Sequence, residues 1–578
     1  VAGKGLLIGG TAVQQGQWQR LYPQSPCLSL GQQTSIEQLR AQLAEQGPLT
    51  QLVWLVGCGA ADALTDPEAQ QRPLLTLFHL AQALLGLGYG ERSLCWTVVT
   101  EQAQAVHASE SACAAQAGLH GFVGSLAKEY RQWSFRLVDI PGADECGMEE
   151  LLSLPCNEEG NALAYRGGEW FAPSLVPVRL ESVSGNCYRR GGVYVVVGGA
   201  GGLGEVWSRW VIEQYQAQVI WLGRRVQDDQ ISAQLESLSL LGPKPEYVQA
   251  DARDKGALER AYHQIKGRYG AIHGVVQSAL DLFDVSLATM EESRFRQILS
   301  VKVAVSVNLA AVFGEDSLDF LVFFSSMAAF EKRGGFSGYS AGCTFTDAFA
   351  RQLRRVSGYP VKVVNWGYWQ VGSGDRISGV MKKRLEESGI ASLEAVEGMQ
   401  ALESLLVGGL DQLAVIRTAK PDILAVSTQE WLSVYPSCLG VMPVVPMALP
   451  LDPGYSVEVS AAAGADLNSM ACRLLWLNLQ VLGVFNDSRF SLPQLQSRKL
   501  CLAFYDRWLE ASLPFLEDAG YLTREGDTYS VVHAHPVDAE HGWSEWIARK
   551  ALWDQDGSMQ SVVALPEHTA LFDKGIAR

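Results

Sequence analysis

The sequence predicts an α/β chain: two successive parallel-sheet halves of Rossmann-like type, then a small, mostly helical module. Three observations predict it. Short β-branched runs alternate with stretches of helical spacing over residues 1–425, as strands alternate with covering helices in a parallel sheet. One run, Val193–Val197, ends in a glycine-rich turn that leads directly into helical spacing from Glu205 to Tyr215. Finally, Pro421, Pro436, Pro443, Pro446, Pro450 and Pro453 run into the small residues Ser460–Asp466, which reads as an interdomain linker.

Composition narrows the function classes. At 578 residues the chain exceeds one hydrophobic core, and 48% hydrophobic with 19% charged residues is ordinary globular usage. The formal charge of −16, with no basic run, argues against nucleic-acid binding. No uninterrupted apolar segment reaches the ~18 residues of a membrane span. The opening VAGKGLLIGG has neither a signal pattern nor an initiator Met, so it reads as part of a longer polypeptide. Eleven cysteines without CxxC pairs or zinc-ligand spacing read as reduced, cytoplasmic thiols with no metal. His533 and His535 read as loop residues rather than ligands.

In the first half, residues 1–184, strand-like runs fall at Gly5–Ile8, Leu52–Val56, Leu94–Val99 and Phe135–Val138. Helical spacing lies between them at Ser35–Glu45, Leu74–Leu87 and Ser111–Tyr130. LLIGGT and LVGCGAADA offer glycines without a full phosphate-binding turn, so this half reads as a fold kept and a ligand lost. Short strands at Leu163–Arg166 and Val176–Leu180 cross over to the second half.

The second half, residues 185–425, carries the chemistry. Glycine admits backbone conformations and close approaches that a Cβ blocks, and the helix behind the turn offers free N–H groups to a phosphate. The next strand, Gln218–Trp221, is followed by Gly223, Arg224 and Arg225. Arginine at this strand end suits the 2′-phosphate of NADPH, where an acidic residue suits NADH. Asp251, after the strand Tyr247–Ala250, is placed to reach the adenine edge. Ser278 and Ala279 close the strand Ile272–Gln277 and are expected beside the cofactor. Lys302 sits in a helical run, Phe295–Ala311, and Ser326 closes the strand LDFLVFFSS. Tyr339 follows thirteen residues later, in a loop leading to a helix expected at Ser340–Ser357. Together they supply what hydride addition to a ketone requires. A phenol gives a proton to the developing alkoxide, an ammonium lowers the phenol's pKa, and a hydroxyl holds the substrate oxygen.

The stretches VVVGGAGGLG, WLGRR, SVKVAVSVNL, FFSSMAAF, GYSAGCTFTDAFA and VVNWGYW resemble the ketoreductase region of a modular polyketide synthase, in the short-chain dehydrogenase/reductase superfamily. YSAGCTFTDAFA and NWGYW are similar to synthases whose acyltransferase acts in trans. The resemblance covers about residues 1–425 and implies a structural half followed by a catalytic half. It makes Tyr339 the proton donor, Ser326 the carbonyl anchor and Lys302 the phenol-tuning, ribose-binding cation. Gly198, Gly201, Gly202, Leu203 and Gly204 would hold the NADPH pyrophosphate. The implied partners are an acyl carrier protein with its phosphopantetheine-tethered substrate, and neighbouring synthase domains.

Three positions depart from the family. Cys343 replaces an asparagine of a proton relay, Val197 a threonine before the glycines, and Gln277 a frequent histidine. Leu282-Phe283-Asp284 keeps only the last aspartate of the motif that accompanies the D-configured, B-type alcohol, and Glu331 stands where the opposite class often has tryptophan. Asp284 is the stereocontrol candidate; its plainer reading is a helix cap. The stretch Ser373–Glu397 resembles the substrate lid, with a final helix and strand at Glu397–Leu406 and Gln412–Ile416.

Beyond the linker, placed at 426–466, residues 467–578 combine helical runs, a hairpin around Glu525-Gly526-Asp527 and a Trp-rich segment (Trp543, Trp546, Trp553). They resemble the N-terminal lid of a C-methyltransferase that lacks the glycine-rich loop for S-adenosylmethionine. Two other readings compete with a working reductase. A silent scaffold is opposed by Lys302, Ser326 and Tyr339, and a free-standing reductase of small carbonyls by the extra half and module.

Overall fold

Every residue of the run Val193–Val197 is enclosed, and the strand it forms lies inside a seven-stranded sheet of the computed structural model. The structure describes residues 4–532 apart from 32–34, 58–63, 108–109, 144, 158, 181–186, 283–284, 371–388, 420–431, 435–471, 474, 478, 481–482, 498–511 and 518. It divides into two units at Met442/Pro443.

The first half of the first unit alternates strands and helices: β1 (Lys4–Gly9), α1 (Ala12–Leu21), β2 (Cys27–Leu28), α2 (Ile36–Glu45), β3 (Leu49–Leu55), α3 (Pro67–Gly86), β4 (Leu94–Glu101), α4 (Ala114–Glu129), β5 (Trp133–Ile140) and α5 (Met148–Ser153). Strands β6 (Ala162–Arg166) and β7 (Glu169–Phe171) complete a sheet ordered β2-β1-β3-β4-β5-β6-β7, parallel until β7 returns antiparallel on β6. Helix starts follow local chemistry. Thr11 with Gln14, and Ser35 with Gln38, form reciprocal capping boxes, and the Asp66 carboxylate accepts from the Glu68 and Ala69 N–H groups.

Self-made contacts fill the carboxyl ends of these strands, where an open α/β sheet would hold a ligand. Gly9 and Gly10 are left-handed (φ +77° and +83°), and the Gln15 side chain donates to both their carbonyls at 3.2 Å. The fully buried Asp139 accepts from Thr100, the Ala103 and Gln104 N–H groups and Arg166, which also pairs with Glu110. Thr100 in turn meets His120, whose imidazole burial depresses to about 3, so it is neutral.

Strand β8 (Val178–Leu180) closes the first half, and the second runs β9 (Val193–Val197), α6 (Gly202–Tyr215), β10 (Gln218–Gly223), α7 (Asp229–Ser239), β11 (Glu246–Gln249), α8 (Lys255–Tyr269), β12 (Gly274–Gln277), α9 (Glu292–Phe313), β13 (Phe320–Ser326), α10 (Ala328–Glu331), α11 (Ser337–Arg354) and β14 (Val361–Trp366). After β15 (Ile390–Ala391) come α12 (Ala395–Val407), β16 (Gln412–Val415), β17 (Arg417–Thr418) and β18 (Leu432–Val434). The sheet order β11-β10-β9-β12-β13-β14-β16, parallel throughout, reverses direction at β9 and β12. Strand β18 pairs with β8, so part of the stretch expected as linker is a strand on the first unit.

The two halves share one core. Phe295 of α9 stacks on Phe78 of α3 at 4.5 Å and packs against Phe122 of α4. Helix α4 lies against α11 so closely that a Cβ on Gly121 would sit 2.3 Å from the Ser340 carbonyl oxygen. Glu129 at the end of α4 accepts from Ser286, the Leu287 N–H and the Gly335 N–H. Thus the first half braces the segment that precedes Tyr339. Among the described residues, α9 alone is long and apolar enough to cross a membrane, with mean hydropathy 1.4. Here it is a core helix with buried Lys302, Ser306 and Asn308.

The second unit has its own core, in which Trp476, Phe485, Phe490, Leu513, Leu516 and Tyr529 meet. Its sheet is β19 (Arg489–Ser491), β21 (Thr528–Val531) and β20 (Leu522–Glu525), all antiparallel, with helix α13 (Leu492–Ser497) after β19. The expected hairpin closes through left-handed Gly526 (φ +61°). The Trp-rich segment and the two histidines near it lie outside the described residues.

Candidate active site

The glycine turn between β9 and α6 is shaped by close approaches. Gly198 is left-handed (φ +85°), and a Cβ there would lie 2.8 Å from the backbone of Ala279 at the end of β12. A Cβ on Gly204 would lie 2.6 Å from the Gly198 carbonyl oxygen. Gly201 is the N-cap of α6 and donates to that same oxygen at 2.9 Å, and no side chain caps the first turn. Glu205 is drawn aside by Gln234 and Arg209. Gly202 begins the helix, and Leu203 packs beside the core on its far side. The turn is therefore a cradle of backbone N–H groups at the sheet's switch point, with the shape a pyrophosphate needs.

Around it, Arg224 pairs with Asp281 at 3.4 Å and Arg225 with Asp228 at 3.5 Å. Both arginines are about half exposed, 48% and 51%, so these weak pairs leave their guanidinium groups open to an incoming phosphate. Asp251 does not stand free: the Arg253 guanidinium grips both its oxygens and holds the carboxyl below its ordinary range. The Ser278 N–H continues the sheet onto the Val197 carbonyl. Asp284 and most of the expected lid, residues 373–388, lie outside the described residues.

Helix α11 begins at Ser337, so Tyr339 stands in its first turn, not in the preceding loop as its glycine neighbours suggested. Ser326 and Cys343 lie close enough to Tyr339 to act on its phenol. Ser326 also accepts from the Ala328 N–H at 3.1 Å, which fixes it at the end of β13. Both residues are half-buried, whereas Cys343 and Lys302 are enclosed. The ammonium of Lys302 donates to the Phe324 carbonyl at 2.7 Å.

One expectation is overturned. The phenol is not drawn down by a neighbouring cation; burial, followed by the Cys343 thiol, pushes it well above its ordinary value. The charge of Lys302 acts instead on Cys343 and Asp347. Asp347, from α11, was not foreseen. Its carboxylate accepts from Asn365 and Gln412, and burial raises it to about 6. The signal was in the sequence: Tyr339, Cys343 and Asp347 are spaced by four, which on a helix is one face.

Comparison with known proteins points to a family. A family profile described as "KR domain" matches residues 192–371. The chain is 37% identical over 574 residues to polyketide synthase PksM of Bacillus subtilis (strain 168), and 40% identical over 442 residues to polyketide synthase PksN of the same strain. These alignments cover 98% and 75% of this chain, and it spans only 13% and 8% of those proteins. The chain is a ketoreductase region of a polyketide synthase.

Solved structures show the same fold. A ketoreductase domain from the bacillaene assembly line aligns with TM-score 0.57 at 20% identity, covering 71% of this chain and 91% of that one. An A1-type ketoreductase aligns with TM-score 0.62 at 24% identity, covering 72% and 89%. Ketoreductase domains use nicotinamide cofactors, and the cradle at Gly198–Gly204 has the donors and the clearance that one would need.

Proposed function

We propose that this ketoreductase reduces the β-keto group of a carrier-protein-bound polyketide intermediate to a β-hydroxyl with NADPH. The observation that carries the reading is the placement of Tyr339 in the first turn of α11 with Ser326, at the end of β13, close enough to act on its phenol. Bound NADPH supplies hydride to the carbonyl carbon. Ser326, fixed by the Ala328 N–H, holds the carbonyl oxygen, and the Tyr339 hydroxyl gives that oxygen its proton as negative charge builds there. A phenol with a raised pKa keeps its proton until an alkoxide, a far stronger base, forms against it. The intact pair favours an active enzyme over a silent scaffold.

The finer parts of the reading rest on sequence. The last aspartate of the stereocontrol motif, Asp284, supports a D-configured product. The match to synthases whose acyltransferase acts in trans supports a substrate carried on phosphopantetheine, among neighbouring domains. The described cysteines are free thiols, in keeping with a reducing, cytoplasmic setting. We assign residues 1–184 and 185–425 as structural and catalytic halves and 467–578 as a module similar to a methyltransferase lid. Incubation with NADPH and a tethered β-keto diketide, with chiral analysis of the product, tests activity, cofactor and face of attack together.

Two expected results follow from individual side chains. Replacing Arg224 and Arg225 together by alanine raises KM for NADPH about 10- to 100-fold, the worth of charged hydrogen bonds of roughly 1.5–3 kcal/mol. KM for NADH stays nearly unchanged; an equal rise for both would remove the arginines from 2′-phosphate recognition. Cys343 is a weak donor next to the phenol. Cys343→Asn raises kcat by about 10-fold, a fraction of what a well-placed proton-transfer group contributes. A rate at or below the parent value would show that the thiol does not limit turnover.

A further inference from the structure

Cys95, the second residue of β4, and Cys156, in the link from α5 to β6, stand with their sulfurs 3.1 Å apart. A disulfide bond spans about 2.05 Å, so the two atoms are roughly 1 Å from bonding distance. Both are free thiols and half-buried.

Neighbouring groups hold the sulfurs together. The Arg136 guanidinium, from β5, donates to the Cys95 sulfur at 3.0 Å and to the Leu154 carbonyl at 2.5 Å. On the other side of Cys156, the Asn157 N–H donates to the Phe135 carbonyl at 2.6 Å, and the two residues form an antiparallel bridge. The Asn157 side chain also accepts from the Glu159 and Asn161 N–H groups. Cys156 is thus fastened on both flanks to β5, the strand that pairs with β4 beside Cys95. The two thiols are not equivalent. Burial, then the Cys156 thiol beside it, raises Cys95 to about 11, against the Arg136 charge, which favours its thiolate. Cys156 lies between exposed Pro155 and Asn157, so a reagent from solvent reaches it first.

We propose that Cys95 and Cys156 are a modification site, a thiol pair that a small-molecule disulfide converts reversibly to an intrachain bridge. The Cys156 thiolate attacks one sulfur of the reagent, forming a mixed disulfide and expelling the other sulfur as a thiolate. Cys95 then gives its proton to water, and its thiolate, beside the Arg136 cation, attacks the Cys156 sulfur and expels the second thiolate. The protein loses two electrons and two protons, and the reagent gains them as two thiols. The bridge ties together the ends of the stretch that carries α4, the helix against which α11 packs. Nothing in this step depends on the reductase reading.

The test is mass spectrometry of the folded full chain, equilibrated in glutathione buffers of increasing oxidised fraction, quenched with acid, then unfolded and alkylated. The expected product is a cross-linked pair of peptides carrying Cys95 and Cys156, lighter by two hydrogens than the free peptides and lost on adding dithiothreitol. The enclosed Cys146 and Cys343 stay free for alkylation. Cys95→Ser leaves Cys156 as a mixed disulfide with glutathione, whereas Cys156→Ser leaves Cys95 free; the reverse pattern overturns the order of attack. The oxidised wild type melts several degrees above the reduced form, a difference lost in both variants. Alkylation of both cysteines at every buffer ratio, or a bridge that forms only in urea, overturns the proposal. Glutathione resting on Cys156 of the wild type with Cys95 still free overturns it as well, because sulfurs this close exchange.

Discussion

Tyr339→Phe is expected to lower kcat by at least about 10³-fold, some 4 kcal/mol of transition-state stabilisation, with the fold intact. The substitution removes one oxygen from a half-buried ring. Its neighbours lose little, because Ser326 keeps its bond from the Ala328 N–H and Cys343 is a weak partner. The reaction loses its proton source. Hydride addition would then leave an alkoxide with only a serine hydroxyl and the weakly donating Cys343 thiol near it. NADPH binding, measured by fluorescence titration, stays within about twofold, since the cradle is built from β9 and α6. Loss of binding together with rate would mean that the ring supports the cofactor rather than the chemistry.

The second large effect is on stability and lies in the half without the reacting groups. Asp139→Ala is expected to cost about 3–5 kcal/mol, read from urea unfolding, because it strips a buried arginine of a partner. Arg166 is 5% exposed and Asp139 fully enclosed, 2.7 Å from it. The same change orphans the Ala103 and Gln104 N–H groups and leaves the Thr100 hydroxyl one partner short. Asp139→Asn keeps an acceptor for those donors and costs less than half as much. Activity should fall with the fold, since α4 of this half backs α11 at Gly121 and Glu129 holds the approach to Tyr339. A loss below about 1 kcal/mol for Asp139→Ala would show the network to be replaceable by water.

Much of this was readable in the residues. Buried parallel strands are continuous apolar runs, so Val193–Val197 and Phe320–Phe324 announce themselves. The glycine turn is legible because its closeness admits no Cβ. Other features were hidden for physical reasons. Helix α1 is rich in glutamine and lacks a clear apolar face, so its pattern resembles a loop. Helix α3 starts at Pro67 rather than near Leu74, because Pro73 inside it reads as a breaker. The start of α11 is masked by the glycines before Tyr339.

Charges were the hardest to foresee. Asp139 and Arg166 are distant in sequence, and a lone aspartate carries no sign of what the fold brings to it. The direction of the Tyr339 shift belongs here as well. Spacing places an ammonium near a phenol, but burial, which raises the phenol, is a property of the packed molecule.

The most direct test is one incubation of the folded chain with a β-ketoacyl pantetheine thioester and NADPH deuterated at its transferable position, read by mass spectrometry. A β-hydroxy product carrying deuterium on its carbinol carbon, and absent with Tyr339→Phe, is the result the site geometry predicts. Binding of NADPH without any transfer of label, or transfer that persists undiminished in Tyr339→Phe, would contradict it.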